Sequence, residues 1–139
     1  MTTVKKNSAE KYFEGTGRRK LAIARVRIYP NSKQHQITIN KKNLDDYFKS
    51  EKLKNKILAP LLAIGMKDKI GSTIAVYGGG KIGQAEAIQL GLSRALVRYE
   101  ADFQKALRDL DYLKRDSRRK ERKKPGFKKA RRAPQWAKR

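Results

Sequence analysis

The chain has 139 residues, with 36 Lys/Arg against 13 Asp/Glu and a formal net charge of +23, which asks for a polyanionic partner to relieve its self-repulsion. The length holds one domain of modest size plus tails, and no run approaches the roughly 20 apolar residues that a membrane span needs. Cysteine is absent, which excludes a disulfide framework, a thiol nucleophile and a cysteine metal site.

Residues 1–11 are polar and aperiodic, an N-terminal arm. They have neither the hydrophobic core of a secretory signal nor the Arg-rich pattern of an organelle presequence, so the expectation is a cytoplasmic or organelle-interior protein made in its working form. Tyr12-Phe13-Glu14-Gly15-Thr16-Gly17-Arg18-Arg19-Lys20 follows. Two glycines beside three cations suit a turn whose backbone N–H groups approach phosphate closely; they suit equally a solvated loop before a strand. From Leu21 to Tyr29 the residues alternate, with Ala22, Ala24, Val26 and Ile28 on one face, and predict a strand. Pro30-Asn31-Ser32 punctuates it, and Gln36–Ile39 reads as its hairpin partner. His35, the single histidine, has no neighbouring ligand set and reads as a surface residue.

Asn43 is placed to cap a short helix through Leu44, Tyr47 and Phe48. A second helix is predicted over Glu51–Leu58, stopped before Pro60, with Leu61, Leu62 and Ile64 covering one end of the core. Lys69–Tyr77 alternates again, with Ile70, Ser72, Ile74 and Val76 on one face, and is the third strand. A long helix runs from Ile82 to about Tyr99, with Ala85, Ile88, Leu92, Ala95, Leu96 and Tyr99 repeating at three and four residues. Ala87, Gly91 and Ala95 form a ridge of small residues. A helical glycine costs about 1 kcal/mol relative to alanine, so Gly91 points to close approach against the sheet. Glu100–Leu113 continues helically, with Phe103, Ala106, Leu107 and Leu110 on one side, and the folded unit ends there.

Lys114–Arg139 holds fourteen Lys/Arg against Asp116 and Glu121. Its apolar residues are too few for a face of any period, and Pro125-Gly126 and Pro134 interrupt any helix. Such a segment cannot offset its ordering entropy and is expected to order only against a dense polyanion, best a polynucleotide.

Gly78-Gly79-Gly80-Lys81-Ile82-Gly83 is literally the G-x-G-x-x-G dinucleotide fingerprint, after a strand and opening a helix, with Asp102 about twenty residues on. The acid should end a second parallel strand, however, and no strand follows Gly83. There remains a helix N-terminus whose free N–H groups suit phosphate from any source, or simply a tight strand-to-helix turn. Asp45-Asp46 reads as a helix-start pair. No catalytic constellation, cofactor site or metal site is expected.

The run Gly78-Gly-Gly-Lys-Ile-Gly-Gln-Ala-Glu-Ala-Ile-Gln-Leu-Gly-Leu-Ser-Arg-Ala-Leu96 resembles the signature of ribosomal protein nine of the small subunit. Gly15–Lys20 with Ala24-Arg25-Val26 is similar to that family's opening motif, and Arg122–Arg139 to its C-terminal tail. The blocks stand in family order and spacing over 12–139. The resemblance implies an α+β fold, a two-layer α/β sandwich with a left-handed βαβ crossover, over residues 12–113, followed by an extended basic tail over 114–139. It implies a structural constituent of the small-subunit head that binds 16S-type rRNA and contacts neighbouring head proteins, with no homo-oligomer and no membrane. The rRNA contacts expected in the domain are Thr16, Gly17, Arg18, Arg19, Lys20, Arg25, Gly78, Gly79, Gly80, Lys81, Gln84 and Arg94. In the tail they are Arg118, Arg119, Lys120, Arg122, Lys123, Lys124, Phe127, Lys128, Lys129, Arg131 and Arg132. Gln135, Trp136, Lys138 and Arg139 are expected at the anticodon stem-loop of the peptidyl-site tRNA. The family commonly carries Ser before the terminal Lys-Arg where this chain has Ala137, which removes a hydroxyl contact. The competing reading is a free-standing RNA chaperone or the protein cofactor of an RNA enzyme; a DNA-compacting protein fits less well, since no dimerisation stripe or recognition helix is present.

Overall fold

Alternation builds the sheet. In the computed structural model, which describes residues 11–137, Phe13–Arg19 (β1) and Ala22–Tyr29 (β2) form an antiparallel hairpin, with Gly15 opposite Val26 and Gly17 opposite Ala24. The glycine segment is therefore a strand and not a phosphate-facing turn. The predicted pairing of β2 with Gln36–Ile39 is also corrected. Ile37–Ile39 (β3) pairs in parallel with Gly71–Tyr77 (β5), and antiparallel with the short Lys42–Asn43 (β4). The sheet order is β1-β2-β5-β3-β4. The physical reason is register: Ala24, Val26 and Ile28 of β2 sit opposite Val76, Ile74 and Ser72 of β5, which continues one buried face across both strands. The expected N-terminal arm, apart from Lys11, lies outside the described residues.

Asn40 extends the parallel pair past Ile39. At φ 48° its side-chain amide stands in for a peptide, donating to the Val76 carbonyl at 2.7 Å and accepting from the Val76 N–H at 2.9 Å. From there Leu44–Tyr47 (α1) and Glu51–Ala63 (α2) complete the βαβ connection to β5. Asn43 occupies the N-cap position of α1 but makes no side-chain capping bond.

The stop predicted before Pro60 is wrong. Pro60 is buried inside α2 with Ile57 and Leu61, and burying that stripe outweighs the one backbone bond proline forfeits. The helix ends instead at Ala63 and is closed by Gly65, φ +69°, where Met66 N–H reaches the Leu61 carbonyl and Gly65 N–H the Leu62 carbonyl, a Schellman closure. Leu61 is fully buried, whereas Leu62 is exposed.

Lys81–Tyr99 (α3) lies along β1 and β2 on the inner face of the sheet. A Cβ at Gly17 would run into the Ala87 carbonyl and the Gly91 nitrogen, and one at Gly15 into the Gly91 carbonyl and the Ala95 nitrogen. The Ala87-Gly91-Ala95 ridge thus meets glycines on the strand, and backbone packs on backbone. The predicted continuation to Leu113 is broken: Phe103–Asp109 (α4) is a separate short helix. It closes with Asp111 at φ +59° and Tyr112 N–H on the Leu107 carbonyl. Tyr112 and Leu113 pack on the core, and beyond them residues 115–137 form no helix or strand. No helix among the described residues is long and apolar enough to cross a membrane.

Candidate nucleic-acid interface

The Gly78–Gly80 turn is the first constituent. Gly78 and Gly79 both have positive φ, 77° and 64°. A Cβ at Gly78 would approach the Leu21 carbonyl to 2.5 Å, and one at Gly79 would press on Ala22. The turn therefore nests against the β1–β2 hairpin, and joins the Arg18–Lys20 block to Lys81 across about sixty residues of sequence. Gly80 is the N-cap of α3 and has no side-chain cap, and a Cβ there would meet nothing within 4 Å. Lys81 lies with Nζ 3.5 Å from the Tyr47 ring centroid, its charge facing the same helix end. The uncapped N–H groups of the first turn and the helix dipole make this exposed helix end suited to a phosphate, with the Lys81 ammonium close by over Tyr47.

Gln84 is buried, and its amide is occupied: Nε2 donates to the Gly78 carbonyl at 3.1 Å and Oε1 accepts from the Tyr47 hydroxyl at 2.8 Å. The residue holds the glycine turn in shape rather than presenting an amide to solvent. Gly17 is likewise interior.

Among the described residues, no long helix covers the outer face of the sheet. Thr16, Arg18, Arg25 and Tyr77 are exposed on it, with Thr16 opposite Arg25 and Arg18 opposite Ile23. Arg27 shares this face. Its Nε donates to Glu14 at 2.9 Å and its guanidinium covers Tyr12 at 4.6 Å; the Glu14 hydrogen bond, then the nearby Tyr12, raise its pKa further. Lys20, at φ 54° in the hairpin turn, is exposed.

At the free edge of β1, Arg94 Nη1 donates to the Thr16 carbonyl at 2.8 Å and Arg98 Nη1 to the Glu14 carbonyl at 2.7 Å. Arg94 is among the expected rRNA contacts and Arg98 is not, although the i, i+4 spacing on one helix face is the signal that pairs them. Arg19 differs from its neighbours. With only 11% of its side chain exposed, its Nε sits 2.6 Å from Glu86 and its Nη2 3.5 Å from Asp116, while Nη1 donates to the Arg118 carbonyl. Glu86 is also held by Lys56 at 2.8 Å. Burial alone would raise the Glu86 pKa, but the hydrogen bonds from Lys56 and Arg19 and their charges together bring it below the ordinary value.

In the tail, Arg119, Lys120, Arg122, Lys123, Lys124, Lys128, Lys129, Arg131 and Arg132 are exposed. Glu121 takes Arg131 at 2.8 Å and Lys124 at 3.6 Å across the turn at Pro125-Gly126. Such exposed pairs contribute little to stability. Phe127 and Trp136 line one shallow concavity with Pro134, Gln135, Lys128 and Arg132. Trp136 is 82% exposed, so its ring is open to stack on a base. Lys138 and Arg139 lie outside the described residues.

Residues 17–139 match the family model for ribosomal protein S9/S16. A basic domain with a bare sheet face, an uncapped glycine-led helix end and a polycationic C-terminal segment fits that match, and the chain belongs to the ribosomal protein S9/S16 family, which implies a structural role in the small ribosomal subunit and binding to its rRNA.

Proposed function

We propose that this protein is a component of the small-subunit head whose domain, residues 12–113, holds 16S-type rRNA. Its tail, residues 114–139, runs through RNA to the anticodon stem-loop of the peptidyl-site tRNA. The observation that carries the reading is the division of labour at Leu113. The core closes with Leu107, Tyr112 and Leu113. The segment beyond Leu113 carries fourteen cations against two acids, with its described part outside any helix or strand. A segment whose described residues add nothing to the core and that carries this much charge serves a polyanion.

In the domain, Lys81 with the Gly78–Gly80 turn takes a phosphate, while Arg18, Lys20 and Arg25 supply further backbone contacts that fix position without reading sequence. The βαβ unit from β3 to β5 takes the left-handed crossover. Asp45 and Glu51, both exposed and bridged by Lys54 at 3.0 and 2.7 Å, mark an end of the domain that repels phosphate and faces neighbouring head proteins. In the tail, Phe127 and Trp136 stack on unpaired bases, each worth about 1–3 kcal/mol. Gln135, Trp136, Lys138 and Arg139 reach the tRNA.

Deleting residues 134–139 tests the terminal contact. Small subunits reconstituted with the truncated protein are expected to retain it at full stoichiometry but to bind tRNA in the peptidyl site about tenfold more weakly, the equivalent of about 1.4 kcal/mol, in filter binding. Unchanged tRNA affinity removes the tRNA role and leaves rRNA binding in place.

A further inference from the structure

Arg19 stands in a run of three cations, yet the fold withdraws it from solvent and engages all three of its guanidinium nitrogens: Nε on Glu86, Nη2 on Asp116, Nη1 on the Arg118 carbonyl. Behind it, Glu86 is braced by Lys56 from α2. Ahead of it, Asp116 accepts from the Arg118 backbone N–H at 3.0 Å and from its guanidinium at 2.8 and 3.1 Å. A guanidinium is suited to this because its planar fork serves a carboxylate and a carbonyl at once. Asp116 is one of two acids in a segment with fourteen cations, and an acid there repels RNA unless it has another partner.

We propose that Arg19 is a clasp for the root of the tail: with Glu86 and Lys56 behind it, it docks residues 114–118 onto the domain, so that the free tail begins at Arg119 and leaves in a direction fixed before RNA is met. Arg19 and Asp116 are then positioning residues and not phosphate contacts. The gain is in effective concentration. A tail anchored at its base samples a smaller volume than one pivoting at Leu113, and its far end is correspondingly enriched along the exit direction. This use of the clasp rests on the tail's proposed tRNA contact; the clasp itself does not.

The full-length, RNA-free protein tests the clasp by backbone ¹⁵N relaxation at neutral pH. Residues 115–118 are expected to be as ordered as the domain, with heteronuclear NOE values well above those of residues 127–137. Asp116→Asn, a half-exposed and isosteric change that spares the core, and Arg19→Met should each erase that difference, while Arg18→Met, next door and exposed, should leave it. Equal backbone order in the two stretches of the unmodified protein overturns the clasp. Peptidyl-site tRNA binding by small subunits carrying Asp116→Asn tests its use. A loss of threefold or more with normal rRNA docking supports aiming of the tail. No loss, in a system where deletion of 134–139 does weaken tRNA binding, overturns the aiming role. If that deletion is also silent, it is the tRNA reading that has failed, and the relaxation result still decides the clasp.

Discussion

A methyl group added at Gly17 has no room, because the Ala87 carbonyl and the Gly91 nitrogen of α3 already occupy its place. Gly17→Ala is therefore expected to destabilise the domain by about 3 kcal/mol or more, since the obstacle is backbone and cannot change rotamer. Gly91→Ala should cost less. Its Cβ would lie 2.9 Å from Val26 Cγ2 and 3.0 Å from the Gly17 nitrogen, and roughly 1 kcal/mol of helix propensity offsets part of the clash. Urea midpoints of the two variants check the order, and a milder effect at Gly17 contradicts the packing described. Tyr47→Phe leaves the buried Gln84 Oε1 without its donor, at an expected cost of about 1–3 kcal/mol. These positions were half legible. Gly91 in a helical period announced a close contact, but nothing local said that its partners are Gly15 and Gly17, because those two glycines beside Arg18–Lys20 resemble a loop as much as a strand.

Between elements, the contact that matters most is α3 along β1. β1 is an edge strand, and edge carbonyls invite pairing with another chain. Arg94 and Arg98 cover two of them. Replacing both by methionine should lower stability by about 1–2 kcal/mol in total and give the protein a concentration-dependent tendency to self-associate, measured by sedimentation velocity at matched ionic strength. A variant that stays monomeric at high concentration would show that the arginines do not guard this edge. Helix ends were legible where a glycine made them and misread where another residue did. Gly65 closes α2 as a C-terminal glycine should, whereas Asp111 takes the same left-handed conformation at the end of α4 with no such label. Pro60 misled in the other direction, because a local rule about proline carries no information on how much surface the helix buries.

For the whole molecule, charge sets the partner and its salt dependence. Removing residues 119–139 should reduce the slope of log affinity for rRNA against log salt by several units, at about 0.9 for each phosphate no longer neutralised. The melting temperature should change little, since among the described residues no core residue lies beyond Leu113. A high-salt wash of small subunits separates a stoichiometric component, which stays bound, from a loosely held RNA chaperone. The acid side of the stability curve is set in part by Glu86. Its folded-state pKa is below the unfolded one, so its contribution is complete above the unfolded value and is lost as pH falls through the folded value. Stability is expected to be insensitive to this group from neutral pH to about pH 5 and to fall below about pH 4, and Glu86→Gln should remove that part of the acid limb. Asp116, held far below the ordinary carboxylate range by the Arg118 side chain and backbone and by Arg19, keeps the clasp charged over the same range.

Consecutive residues determined the features that depend on consecutive residues: the inward faces of β2 and β5, the apolar stripe of α3, the end of the core at Leu113 and the polycationic composition beyond it. They also carried the motif spacing by which the family was recognisable. Only the tertiary structure decided that β5 lies between β2 and β3, that Gly15 and Gly17 serve α3, and that Gln84 and Arg19 turn inward while Lys81 and Arg25 face out. Periodicity and charge are properties of neighbours along the chain. Strand order, backbone contact and the spending of a cation on a distant carboxylate depend on which remote residues meet, and that is settled when one shared core is buried.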